Sequence, residues 1–140
     1  MTITLVGAVR VSVESTEQVI SRTAGEDIAA KAAVCIGESD GKVYKAKADS
    51  STTMPCMGIT KEAVSSGGTA KVYQSGIVTN VLREADFSPD DIVFVSPNTA
   101  GKVTKTPPQT LGQYAQTVGR AINSSDIVLE ISQIFLQIGT

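Results

Sequence analysis

The sequence contains no histidine and no tryptophan. Without histidine, neither a Ser-His-Asp nor a Cys-His catalytic arrangement can form, and a histidine-ligated metal site is excluded as well. Three phenylalanines and three tyrosines supply all the aromatic rings of the 140 residues. So few rings are a weak basis for stacking sugars or single-stranded nucleic acid. We therefore expect no catalytic residues, no cofactor and no metal.

Charge and hydropathy narrow the possible partners. Twelve Lys and Arg stand against fourteen Asp and Glu, for a net charge of −2. This balance lacks the excess of positive charge that nucleic acids and anionic membranes attract. No apolar run reaches the length of a membrane span, and the N-terminus lacks the basic region of a signal peptide. We expect a single globular domain made in the cytoplasm, with no nucleic-acid or membrane partner.

Two small groups of residues are possible metal or redox ligands. Cys35 and Cys56 lie in apolar segments, and their spacing matches no zinc or redox motif, so we expect small buried hydrophobes. Asp86, Asp90 and Asp91 offer oxygens for Ca²⁺, but the stretch lacks the alternation and the glycine of a calcium loop. The interpretation favoured for the three aspartates is a turn.

Apolar and polar residues alternate at the N-terminus. One parity carries Ile3, Leu5, Val9, Val11 and Val13. A period of two predicts a half-buried β-strand, so residues 1–14 are assigned to an N-terminal strand or arm. The polar residues 14–27 predict either a loop or one helical turn.

The remaining chain contains an internal repeat. The segment DGKVYK at residues 40–45 recurs as AGKVTK at residues 100–105, and the hydrophobic-Gly step at Gly58 recurs at Gly119. We assign residues 24–82 to a first half and residues 83–140 to a second half of one domain. Each half is predicted to form a β-hairpin followed by two further strands.

These patterns predict the fold class and the core. The first half is predicted to contain strands at 33–36, 42–46, 57–60 and within 69–81; the second half, at 92–95, 102–106, 113–122 and within 126–138. Gly41 and Gly101 are available for a positive φ in the hairpin turns. The prediction is an all-β, small β-barrel or β-tulip-like domain of two similar halves with an additional N-terminal strand. The predicted core comprises Val34, Ile36, Val43, Ile59, Val72, Val93, Val95, Val103, Val118, Ile127, Leu129 and Ile131.

Two features suggest contacts with other proteins. The lysines of the two GKV strands either blunt a sheet edge against unwanted pairing or meet an acidic partner surface. The C-terminal run alternates, with Ile134, Leu136 and Ile138 on one side and Phe135 on the other. A terminal strand this apolar either closes the barrel or lies in an interface.

The order of the repeated elements resembles a known family. The run PDDIVFVSPNTAGKVTKTPP at 89–108 is followed by GQYAQTVGRAINSSDIVLEI at 112–131, and VYQSGIV occurs at 72–78 in the first half. Across residues 24–131 the chain resembles the decoration, or cement, proteins of tailed bacteriophages, which are related to phage head-fibre domains. The resemblance implies a β-barrel or β-tulip-like domain bound to the outside of an icosahedral head, often as trimers at local three-fold axes. It implies no enzymatic activity and no cofactor.

The expected function is therefore that of a virion structural protein on the outer capsid surface. Its expected partners are the major capsid protein and further copies of itself, most simply in a trimer. The expected interface residues are Ile3, Leu5, Val9, Val11, Val13, Ile134, Phe135, Leu136 and Ile138. One alternative is a head-fibre or tail-fibre module that binds host-surface carbohydrate, with Tyr44 as an exposed ring. Another is an enzyme built on paired carboxylates or on a Lys/Ser pair, and the sequence nominates no pair of carboxylates.

Overall fold

β-strands carry the fold of residues 18–139, which is the part of the chain that the computed structural model describes. No α-helix occurs in this range, and a curled antiparallel sheet forms a half-barrel, so the all-β prediction is confirmed. A short 3-10 turn lies at Ser51–Thr53. The strands are β1 Gln18–Thr23, β2 Ala33–Ile36, β3 Val43–Lys45, β4 Gly58–Thr60, β5 Thr69–Val78, β6 Ile92–Val95, β7 Val103–Thr104, β8 Tyr114–Ala115, β9 Thr117–Ala121, β10 Ile127–Glu130 and β11 Leu136–Gln137.

The two halves of the sheet have the same arrangement of strands when each half is followed from its outer end to the centre. The order is β3-β2-β4-β5-β10-β9-β6-β7, and every neighbouring pair of strands is antiparallel. The first four strands come from residues 33–78 and the last four from residues 92–130. The central pair is β5 and β10, with Val78 opposite Ile127. Corresponding segments of the repeat therefore occupy corresponding positions on the two sides of the sheet.

The two GKV segments form the predicted hairpins in the same register. Ile36 lies opposite Val43 in the first hairpin, as Val95 lies opposite Val103 in the second. Gly41 and Gly101 have φ values of 71° and 85°, so the prediction of positive φ at both glycines is confirmed. A residue with a β-carbon adopts this conformation only at a cost, which accounts for the repeated glycine.

The second hairpin turn also connects the two ends of the strand order. The Gly101 amide donates to the carbonyl of Ala46 (2.8 Å), and the Gly101 carbonyl accepts from the amide of Ala33 (2.8 Å). Close by, the Ala48 amide donates to the carbonyl of Ser96 (2.9 Å). These main-chain bonds join the turn between β6 and β7 to β2 and to the residues that follow β3, so the sheet is held in its curled form.

The core consists of a main cluster and a smaller one, and β2 contributes to both. Ala33 and Cys35 lie in the main cluster with most of the second half, whereas Val34 lies in the smaller cluster against residues 24–32. Ten of the predicted core residues are buried: Val34, Val43, Ile59, Val72, Val93, Val95, Val103, Val118, Ile127 and Leu129.

The core prediction is wrong for one residue and incomplete for another. Ile36 is exposed because it is the last residue of β2, where the strand runs into the exposed turn before Gly41. Ile131 is only partly buried, although it packs against the main cluster. The burial of a predicted core residue therefore depends on where it lies along its strand as well as on the face to which its side chain points.

The structure corrects three further strand predictions. Within residues 14–27, the segment from Gln18 to Thr23 is neither a loop nor a helical turn but the exposed strand β1, which pairs along β5. The strand expected at 113–122 is interrupted at Gln116, and the strand expected within 126–138 is interrupted after Glu130. The predicted N-terminal strand, residues 1–14, lies outside the described residues, and the boundaries of the halves at 24–82 and 83–140 stay predictions.

Candidate interaction surfaces

The end of the chain forms a separate two-stranded ribbon with β8 and does not join the large sheet. We call β8, the turn residues 110–113 that precede it, and the segment 132–138 that contains β11 the C-terminal ribbon. Leu136 lies opposite Ala115 in this pair of strands. Two main-chain bonds extend the pairing: the Ile138 amide donates to the Gln113 carbonyl (2.7 Å), and the Gly112 amide donates to the Ile138 carbonyl (3.0 Å). The main-chain pairing of the terminal segment therefore extends beyond β8 to residues 112 and 113.

The C-terminal ribbon presents three large apolar side chains to solvent. Leu111, Ile134 and Leu136 are 64%, 69% and 65% exposed. Phe135 points the other way, as a strand alternation requires. It packs partly buried against the main core, and its ring lies 5.6 Å from that of Tyr114 at an angle of 50°. Exposed leucine and isoleucine on a rigid support are typical of an interaction surface.

The predicted interface residues therefore fall into three groups. Ile134 and Leu136 are exposed on the ribbon, whereas Phe135 and Ile138 are partly buried. The remaining five, Ile3, Leu5, Val9, Val11 and Val13, lie outside the described residues. Sequence reasoning missed Leu111, because a single leucine between polar residues carries no periodic signal.

A buried glutamine ties the ribbon to the rest of the domain. The Gln116 side chain is 2% exposed. Its Oε1 accepts from the amide of Cys56 (2.7 Å), and its Nε2 donates to the carbonyls of Cys56 (3.2 Å) and Ser132 (2.9 Å). Gln116 lies where the predicted strand breaks into β8 and β9, and its side chain joins this point to Cys56 and Ser132.

The two cysteines are buried free thiols, as predicted. Burial raises the pKa of the Cys35 thiol from 9.0 to about 11, and that of the Cys56 thiol from 9.0 to about 12. The nucleophilic thiolate is therefore suppressed by both burial and protonation. Neither thiol contacts solvent in the way that a catalytic or redox-active cysteine does.

We predict that both thiols of the native protein react with Ellman's reagent at pH 8 at least about 100-fold more slowly than in the unfolded chain. Because folding raises both pKa values, the protonated forms are favoured in the native state. Ionisation of the two thiols therefore leaves the free energy of unfolding unchanged below pH 9. Above pH 9 it lowers the free energy of unfolding as the pH rises towards 12. Fast native-state labelling at pH 8 would contradict the burial of these side chains.

The aspartates near residue 90 fix a turn. Asp86 pairs with Arg83 at 2.8 Å, and Asp91 accepts a hydrogen bond from the amide of Ser88 (2.8 Å). Asp90 adopts a φ of 73°. Within residues 18–139, no three or more Cys, Asp or Glu side chains are grouped so as to hold a metal ion. The carboxylates of Asp86 and Asp91 are thus directed at neighbouring protein groups.

The three tyrosines lie in three different settings. Tyr44 donates to Asp40, and its ring fills the space above Gly25 and Gly37, where a β-carbon would collide with it. The ammonium group of Lys31 lies 5.9 Å from the centre of the Tyr73 ring, while Tyr114 pairs with a phenylalanine of the ribbon. All three are partly buried. This arrangement does not favour the carbohydrate-binding alternative, which requires exposed rings on one surface.

The two GKV strands occupy the two ends of the strand order. β3 and β7 each have one neighbouring strand, β2 and β6 respectively. The other edge of each is covered by an isolated bridge, from Ala24 to Val43 and from Arg83 to Val103. Lys42 and Lys105, at the borders of these strands, are exposed. Because both edges are already bridged, these lysines do not border an open strand edge, and their role stays a prediction.

Comparison with known proteins adds no family assignment. No protein-family model matches the chain, and no curated protein matches it significantly. Among residues 18–139, no helix has both the length and the apolar character needed to cross a membrane.

Proposed function

We propose that this protein is a virion structural protein that decorates the outer surface of a tailed-bacteriophage capsid. It binds the major capsid protein and associates with itself, most simply as a trimer at local three-fold positions. The observation that carries the proposal is the C-terminal ribbon: three large apolar side chains are held outside the sheet by a support that the rest of the fold fixes in place. The sequence resemblance to decoration proteins supports the same function.

Several contacts hold the ribbon against the rest of the domain. Phe135 anchors β11 through its contact with Tyr114, and the Gln116 amide holds the main chain at Ser132. Exposed side chains on a preformed support lose little conformational entropy on binding, so more of the contact energy appears as affinity. A few well-packed residues near the centre of an interface contribute most of its binding energy.

Main-chain pairing is a second route to contact. In the described part of the chain β11 pairs with β8 alone, which leaves its other edge available for a strand of a neighbouring protein. Addition of a strand at an open edge provides affinity through main-chain hydrogen bonds. On a capsid the contact is repeated over many copies, so each contact can be modest.

The proposal predicts that Leu136→Asp prevents both self-association and capsid binding. A carboxylate at the centre of an apolar contact costs about 2 kcal/mol or more, or at least about 30-fold in affinity. Sedimentation of the purified variant should show a monomer where the parent protein forms a closed oligomer. Gln133→Asp, which adds the same charge at an exposed polar position nearby, is the matched control and should behave as the parent.

Neither side chain is buried, so both variants should keep the fold of the parent, which circular dichroism checks. If Leu136→Asp associates with itself and with capsids as the parent does, the C-terminal ribbon is not the contact surface.

A further inference from the structure

The exposed apolar side chains of the domain are concentrated on two surfaces. Within residues 18–139, nine large hydrophobic side chains are exposed, and three of them belong to the C-terminal ribbon. Four more lie on β5, β6 and β10 or directly follow β9. We call the surface that these four form the isoleucine face; they are Ile77, Ile92, Val128 and Ile122. The remaining two, Val19 and Ile36, lie on β1 and at the end of β2.

The isoleucine face is a continuous row across four strands. Ile77 lies opposite Val128, Val128 lies opposite Arg120, and Arg120 lies opposite Ile92. Residues that are directly opposite in neighbouring strands point to the same side of the sheet. The aliphatic stem of Arg120 fills the space between its two apolar neighbours. Ile122 extends the row, since it comes two positions after Arg120.

A shallow depression of ≈ 290 Å³ opens on this face. Its lining residues are Ile92, Thr117, Gly119, Arg120 and Glu130. An aliphatic side chain of a partner can enter such a depression, and side chains that fill pockets near the centre of a contact provide much of its binding energy. Arg120 and Glu130 contribute one charge of each sign, so the face has no net charge.

The C-terminal ribbon matches this surface in charge as well as in hydrophobicity. Residues 110–115 and 132–138 contain no Asp, Glu, Lys or Arg. An uncharged apolar ribbon therefore meets no repulsion on a face whose two charges cancel, and it leaves no charge of its own without a partner.

A contact between these two different surfaces covers both of them at once. Each is exposed in the same monomer, so neither covers the other within one chain. Pairing of ribbon with ribbon would leave the isoleucine face open to water, and pairing of face with face would leave the ribbon open. A ribbon seated on the isoleucine face of another copy removes all seven apolar side chains from water with one kind of contact.

We propose that the C-terminal ribbon of one copy docks on the isoleucine face of the next copy, with Ile134 and Leu136 packed against Val128 and Ile92. The inference rests on the self-association proposed above and names the two surfaces that it uses. Because the surfaces differ, the contact is heterologous, and it closes into a ring when the rotation between copies allows it. A trimer is such a ring. The contact itself does not involve the capsid.

Two variants that each spoil one surface test the pairing. Leu136→Asp disrupts the ribbon and leaves the isoleucine face intact, whereas Val128→Asp disrupts the face and leaves the ribbon intact. Each variant alone should lose at least about 30-fold in affinity and sediment as a monomer. An equimolar mixture keeps one good contact, between the ribbon of Val128→Asp and the face of Leu136→Asp. The expected result is a dimer of one copy of each variant, identified by native mass spectrometry.

Concentration and fold are controlled separately. The mixture is measured at about 1 mM of each variant, so that a single contact with a Kd as weak as about 1 mM is detected. Thr69→Asp adds the same charge at an exposed position at the other end of β5 and should associate as the parent does. Circular dichroism checks the fold of Val128→Asp. Ile77→Asp repeats the test at a position that is 59% exposed, where a charge does not threaten the fold.

The outcomes separate this inference from the proposed function. If Val128→Asp and Ile77→Asp both associate as the parent does, the isoleucine face is not in the contact and the inference is wrong, while the ribbon contact stands. If the mixture stays monomeric although each variant has lost association, the two surfaces do not meet each other, and the inference is again wrong. A parent protein that is monomeric at every concentration would overturn the proposed self-association together with this inference.

Discussion

Replacement of Gly119 by alanine should destabilise the domain by about 3 kcal/mol, at the upper end of the usual cost of overpacking. A β-carbon at this position would lie 2.2 Å from the carbonyl oxygen of Val128 and 3.2 Å from its carbonyl carbon. Both are main-chain atoms of the neighbouring strand β10, so no side-chain rotation relieves the contact. β9 and β10 would have to separate at the centre of the sheet.

Chemical denaturation compares this variant with two others. Gly58→Ala should be similarly damaging, because its β-carbon would meet the carbonyl oxygen of Tyr73 at 2.4 Å. Gly139→Ala is the matched control: nothing lies within 4 Å of its β-carbon, and its effect should stay below about 0.5 kcal/mol. Equal stability of Gly119→Ala and Gly139→Ala would refute the close approach of β9 and β10.

The second large effect is expected at Gln116. Gln116→Leu keeps most of the side-chain volume but removes all three hydrogen bonds of the buried amide. The amide and carbonyl of Cys56 and the carbonyl of Ser132 lose these partners. An unsatisfied buried polar group costs about 1–3 kcal/mol, so a total of about 3 kcal/mol is expected after partial relaxation.

Two readouts separate this role from a general loss of packing. Gln109→Leu changes an exposed glutamine and should leave the free energy of unfolding within about 0.5 kcal/mol of the parent. Amide hydrogen exchange in Gln116→Leu should accelerate first around Cys56 and in the C-terminal ribbon, whose main chain the glutamine holds. A stable Gln116→Leu variant with unchanged exchange in the ribbon would show that this amide does not anchor it.

The hairpins were the most predictable part of the fold. Alternation predicts strands because side chains of one parity share a face, and the repeated glycines required a positive φ that few other residues adopt. The strands at Ala33–Ile36 and Ile92–Val95 have the predicted bounds for this reason. The repeat of the GKV segments also predicted that the two segments occupy equivalent positions in the sheet. In the structure these positions are the two ends of the strand order.

The remainder depends on tertiary contacts that a local pattern does not encode. β1 is polar and exposed and forms through main-chain pairing with β5, so hydropathy carried no signal for it. The sequence alone gives no sign that Gln116 is buried, because its burial depends on three separate segments that meet around it. Leu111 gains its significance from the pairing of the turn residues 112 and 113 with Ile138, which makes that turn part of the ribbon. In each case the partner lies far along the chain.

Co-sedimentation with capsids tests the central claim most directly. Capsids assembled without decoration protein, from the major capsid protein of the same phage, are mixed with increasing amounts of the purified protein. The account predicts saturable binding at a fixed ratio to the major capsid protein, by a free protein that is itself a trimer. A free monomer that stays in the supernatant at every concentration would contradict it.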